Sequence, residues 1–200
     1  MTSTTAPAPA RSRWRTVDIV VAGVVAAAFG VVFFYWNQLW NVLEPAFVAF
    51  PPGRALIYGM WLLPGVLGGL IIRRPGAALF CELVAALISA ALGSSLGLVV
   101  VLYGLGQGLG AELAFAATRY RRWGLPVALL AGGLAGLVPA IVDPIAYYPD
   151  FTAGWRIAWA AIVVASSMLI AGLGSWLLVR ALAPTGVLAP FAAGRDQHLT

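Results

Sequence analysis

Lysine is missing from the chain, and histidine and cysteine occur once each, as His198 and Cys81. A Schiff base needs a lysine, thiol catalysis an activated cysteine and a zinc centre several such ligands, so all three chemistries lack their parts. Cys81 sits inside an apolar run, which excludes a disulfide framework. Charge is scarce as well: charged residues make up 10% of the 200 and hydrophobic residues 62%. Soluble domains carry about 25% charged residues, so the solvent this composition suits is a bilayer.

What the chain does have is apolar runs of membrane length. They fall at 17–36, 55–72, 76–95, 97–118, 125–146 and 155–183, each near the roughly 20 residues that cross ~30 Å of hydrocarbon. The pattern predicts an all-α integral membrane bundle of six transmembrane helices. The third and fourth runs form one long apolar stretch, divided only at Gly93-Ser94-Ser95-Leu96-Gly97, where a tight turn is required. All 12 basic residues are arginine. With a cytoplasmic amino terminus, Arg11, Arg13, Arg15, Arg73, Arg74, Arg119, Arg121, Arg122, Arg180 and Arg195 lie inside, and only Arg54 and Arg156 outside. That bias predicts both termini in the cytoplasm and a multi-pass protein of the plasma membrane. It also accounts for the net charge of +5 without nucleic acid, because inner arginines meet the bilayer's anionic headgroups instead. Segments 1–15 and 185–200 lack periodicity and read as cytoplasmic tails without structure.

Two motif matches point to chemistry and fail on context. Gly93-Ser94-Ser95-Leu96-Gly97 fits G-x-S-x-G, which requires a strand-to-helix elbow and a histidine base; His198 is far off in a tail. Gly106-Gln107-Gly108-Leu109-Gly110-Ala111 fits a loose dinucleotide fingerprint, but it lies within a spanning helix with no strand before it. The chain is therefore read as a non-enzyme. Glycine pairs four apart, Gly65/Gly69, Gly104/Gly108, Gly106/Gly110 and Gly132/Gly136, instead let helices approach closely. Ala22, Gly23, Ala26 and Ala27 give the first helix a similar small-residue face.

Two intramembrane acids, Glu82 and Glu112, need an explanation, because a carboxylate in lipid is costly unless it is paired, protonated or facing a cavity. Both count to about 9 Å from the inner boundary at 1.5 Å per residue, which makes a shared site plausible. A second cluster sits at the outer helix ends: Tyr35, Trp36, Asn37, Gln38, Trp40, Asn41 and Glu44, with Asp143, Tyr147, Tyr148, Asp150, Trp155 and Trp159. Aromatic belts explain the rings but not the amides. Amides interleaved with indoles supply stacking faces beside directional donors and acceptors, as a flat heteroaromatic solute requires. Tyr103 and Gln107 share a helix face, whereas Glu112 is about 140° further round.

The six-span layout, the first-helix ending Tyr35-Trp36-Asn37-Gln38-Leu39-Trp40 and the stretch Gly106 to Leu113 resemble the YkoE family. These are substrate-binding S components of energy-coupling factor (ECF) transporters, and the resemblance covers roughly 14–183. It implies uptake of thiamine or its hydroxymethylpyrimidine precursor, with a transmembrane T component and two cytoplasmic ATPases as partners. ATP would then bind the partners, and this chain would carry no cofactor or metal; it has no G-x-x-x-x-G-K-[ST] loop to cradle phosphates. The resemblance makes Ala22, Gly23, Ala26 and Ala27 the face for the T component. It makes Trp36, Asn37, Gln38, Trp40, Glu82, Tyr103, Gln107, Glu112, Tyr147 and Trp155 the candidate solute-binding set, with Trp36 or Trp155 stacking on a pyrimidine. A self-sufficient secondary transporter is the alternative, and it predicts an inverted repeat with broken helices.

Overall fold

The computed structural model describes residues 13–195, and every regular element among them is helical. Helix α1 spans Thr16–Leu43 and outruns its expected end at 36, because nothing from Asn37 to Asn41 breaks a helix; the first breaker is Pro45, in a 3-10 turn at Glu44–Phe47. The second crossing begins as a 3-10 helix, Pro51–Leu62, and becomes α2 at Leu63–Ile72. Helices α3 (Ala77–Ala91), α4 (Val99–Ala117) and α5 (Leu125–Ala146) follow. The last crossing joins α6 (Ala153–Ser166), a π segment (Ser167–Leu173) and α7 (Gly174–Leu182), before the short α8 (Ala192–Arg195).

Among the described residues, five helical stretches are long and apolar enough to cross a membrane: Thr16–Phe47, Pro51–Ile72, Val99–Ala117, Leu125–Ala146 and Ala153–Thr185. The third expected span is the exception. With 15 residues, α3 rises about 22 Å, short of the ~30 Å core. Its break from α4 falls where the sequence required a turn: Gly93 and Gly97 have φ of 91° and 56°, a region that glycine enters without strain.

Small residues close the bundle from within. Ala22 and Ala26 are 0% exposed, and Cys81 of α3 lies 3.8 Å from the Ala22 carbonyl. Of the expected partner face, Ala22 and Ala26 pack against α3, while Gly23 borders open space and Ala27 is exposed. The small-residue spacing brings α1 and α3 into close contact.

One end of the bundle is tied by charge. Asp18, buried in the first turn of α1, pairs with Arg15 at 2.7 Å and with Arg74 at 3.7 Å. Trp14 donates to the Pro75 carbonyl at 3.0 Å and Arg15 to that of Pro190 at 3.1 Å. The start of α1, the α2–α3 loop and the C-terminal segment therefore meet at this end. The expected tail at 185–200 is correspondingly not bare: Leu188 and Phe191 are buried, because this end leaves apolar core to cover. Residues 1–12 and 196–200 of the two tails lie outside the described residues.

Candidate functional site

At the opposite end, where α1 and α5 finish and α3 turns into α4, the helices enclose a cavity of about 190 Å³. Helical spacing selects its walls. Asn37, Trp40 and Asn41 share a face of α1, and Val100, Tyr103, Gly104 and Gln107 share one of α4. The 3-10 stretch adds Tyr58 and Trp61, α3 adds Glu82 and Ala86, and α5 with its following loop adds Asp143, Tyr147 and Tyr148.

The lining is aromatic, with a few fixed polar groups. Trp40 packs edge-on against Trp61 at 4.9 Å and Tyr58 at 5.8 Å, and the Tyr103 and Tyr147 rings are 6.3 Å apart. Asn37 is held at both ends of its amide: it donates to Ser94 Oγ at 3.3 Å and accepts from Trp61 Nε1 at 3.1 Å. The Arg54 guanidinium lies 4.3 Å over the Trp40 ring, donates to the Trp40 carbonyl at 2.6 Å and pairs with Glu44 at 3.3 Å. That clamp fixes Trp40 and joins the start of the 3-10 stretch to the end of α1. Burial pushes the Tyr148 phenol up to about 12, so at neutral pH it stays a hydrogen-bond donor.

Two carboxyls face this space. Asp143, 4% exposed, accepts from Tyr103 Oη at 2.5 Å. Glu82, 1% exposed, accepts from the Gly65 amide at 2.8 Å, in the first turn of α2. Its second oxygen, Oε1, is buried without a hydrogen-bond partner among the described residues. An orphaned buried acceptor costs about 1–3 kcal/mol, so a donor supplied from within the cavity would be strongly held. Gln107, 4% exposed, also lines the cavity.

The cavity gathers Asn37, Trp40, Glu82, Tyr103, Gln107 and Tyr147 of the sequence-derived set and leaves four others out. Trp36 donates to the Ile57 carbonyl at 3.2 Å, Gln38 is exposed, and Trp155 is 38% exposed with its edge toward Phe151. The rings that do line the cavity on this side are Trp40, Trp61 and Tyr58. Glu112 points the other way: it accepts from the amides of Gly76 at 2.6 Å, Ala78 at 3.0 Å and Leu79 at 3.4 Å, and from Tyr120 Oη at 2.8 Å. It caps the start of α3 and does not line the cavity with Glu82, against the shared site expected from their equal depth. Burial, and then the Glu112 carboxylate, push the Tyr120 phenol up to about 12. Tyr58 and Trp61 were missed, since a run read as a plain span offered no reason to select one face of it.

An aromatic cavity with two buried carboxyls, inside a bundle of apolar helices, defines a membrane protein that holds a small solute. Comparison with known proteins gives the class its family. Residues 17–138 match the family model described as ABC-type cobalt transport system, permease component. The chain is 37% identical over 186 residues to the Bacillus subtilis (strain 168) protein named as an HMP/thiamine permease, YkoE, covering 92% of each. A solved structure titled as the crystal structure of an S-component of ECF transporter superposes with a TM-score of 0.87 at 36% identity, over 93% of this chain and 94% of that one. The chain belongs to the YkoE family and is an S component of an ECF transporter, a multi-pass protein of the cell membrane.

Proposed function

We propose that this S component captures thiamine or its hydroxymethylpyrimidine precursor in the Trp40–Tyr103 cavity, for import driven by partner subunits. The observation that carries the reading is Glu82 Oε1, a buried, unpartnered acceptor on an aromatic cavity wall. An aminopyrimidine brings a flat ring to stack between indole and phenol and an amino group to donate to that oxygen. The Gln107 amide offers complementary donors and acceptors to the ring nitrogens. Two carboxyls with no cation among the lining residues also favour a cationic solute such as thiamine. The family description names cobalt and the relative's name HMP/thiamine; an organic solute fits better. Cobalt needs convergent His, Cys, Asp or Glu ligands, and no three of these come together among the described residues.

In this reading α3 makes a sixth, short crossing within the bundle and both termini face the cytoplasm. The Trp14–Pro75 and Arg15–Pro190 contacts support one side for both termini, since residues 14 and 15 reach the α2–α3 loop and the C-terminal segment alike. The cavity then opens toward the outside, beside the Arg54–Trp40 clamp. A T component and two ATPases complete the transporter and bind the ATP, with the outward side of α1, around Gly23 and Ala27, left for docking. Titrating thiamine and hydroxymethylpyrimidine into purified protein while following tryptophan fluorescence tests the ligand: saturable quenching is expected, and none by either compound refutes it.

A further inference from the structure

The wall that carries Tyr58 and Trp61 is a 3-10 helix of 12 residues, Pro51–Leu62, although runs beyond about four residues are uncommon. Pitch decides where those rings go. At about three residues per turn, side chains three apart eclipse, which places Ala55, Tyr58 and Trp61 in one row. In an α-helix, at about 100° per residue, Trp61 would stand about 60° away from Tyr58. Both rings line the cavity, with centroids 5.0 Å apart.

A side chain from another helix is inserted into that tight ladder. Ser166, buried at the end of α6, accepts from the Gly59 N–H at 3.0 Å and donates to the Leu56 carbonyl at 2.8 Å. These two backbone groups are the pair that closes one 3-10 turn; in an α-helix they would turn to Ala55 and Met60 instead. A Cβ on Gly59 would overlap the Ser166 carbonyl oxygen, so the two backbones touch here. Immediately after Ser166 the chain widens into the π segment Ser167–Leu173, which packs on the same 3-10 stretch.

We infer that Ser166, which does not line the cavity, is a positioning residue for solute binding: its hydroxyl bridges Leu56 and Gly59 and holds the pitch that sets Tyr58 and Trp61 on the cavity wall. This rests on the cavity being the solute site. The test uses the full chain in detergent, with thiamine binding read by calorimetry and backbone amide exchange read across 56–62. Ser166→Ala is expected to weaken thiamine binding and speed exchange at 56–62, each by about tenfold or more, as loss of a paired buried hydroxyl predicts. Ser166→Thr, which keeps the hydroxyl, should restore both to within about threefold. Ser175→Ala removes another buried hydroxyl, 3.4 Å from the Leu63 carbonyl, and should bind thiamine like the parent. Equal weakening by Ser166→Ala and Ser175→Ala, or unchanged exchange at 56–62 in Ser166→Ala, overturns the inference. A parent protein that takes up no thiamine refutes the ligand reading alone, and the exchange arm still decides the role of Ser166.

Discussion

Replacing Glu112 by alanine removes the acceptor for three backbone amides and one phenol at the start of α3. Hydrogen bonds to a charged group contribute about 1.5–3 kcal/mol each when counted singly, and loss of a helix cap costs up to about 2 kcal/mol. The four bonds share one carboxylate and are not additive, so a loss of about 3 kcal/mol is expected. In a chain of this size each kcal/mol moves Tm by about 2–4 °C, giving a fall of about 6–12 °C. Glu112→Gln keeps an oxygen for the amides but loses the charge, and should fall about half as far. Thermal unfolding in detergent, with thiamine binding measured on the same preparations, checks this. Affinity should stay within about threefold of the parent, because Glu112 faces away from the cavity. A loss of affinity above about tenfold with Tm unchanged would refute the assignment and return Glu112 to the solute site.

Further outcomes follow from the cavity geometry. Glu82→Gln should weaken thiamine binding by roughly 10–100-fold, the value of one charge-assisted hydrogen bond, in a calorimetric titration. Trp40→Ala should lose at least about tenfold in affinity while Trp155→Ala stays within about threefold, since only Trp40 lines the cavity. Arg54→Met should speed thiamine dissociation by roughly tenfold in a stopped-flow displacement assay, because it removes the cation–π contact and the carbonyl bond that fix Trp40. Glu44, at 66% exposed, is left in solvent by that change and adds little to the loss.

The residues that were legible in the sequence are those whose cost or spacing stood out. Glu82 was visible because an acid in an apolar run demands a reason, and Tyr103 with Gln107 because four-residue spacing puts them on one face. The same spacing rule applied to the end of the first helix separates Asn37, Trp40 and Asn41, which line the cavity, from Trp36 and Gln38, which do not. That separation depends on α1 continuing to Leu43, beyond the end at 36 that hydropathy marks. Asp18 carried a signal of the same kind as Glu82, an acid in an apolar helix, and its partners Arg15 and Arg74 were both in view.

Tyr58 and Trp61 are a different case. Their selection depends on a 3-10 pitch over 12 residues, and that pitch rests on contacts with Ser166 more than 100 residues away, which no local pattern encodes. The small-residue stripe on α1 is legible in the same limited way: it records that a helix packs closely, not on what. Ala22 and Ala26 found α3.

A crystal structure with thiamine bound tests the cavity assignment most directly. The ligand ring should lie between the Trp40–Trp61 wall and Tyr103, with its amino nitrogen within hydrogen-bond distance of Glu82 Oε1. A ligand seated instead beside Trp36 and Trp155, or against Glu112, would contradict it.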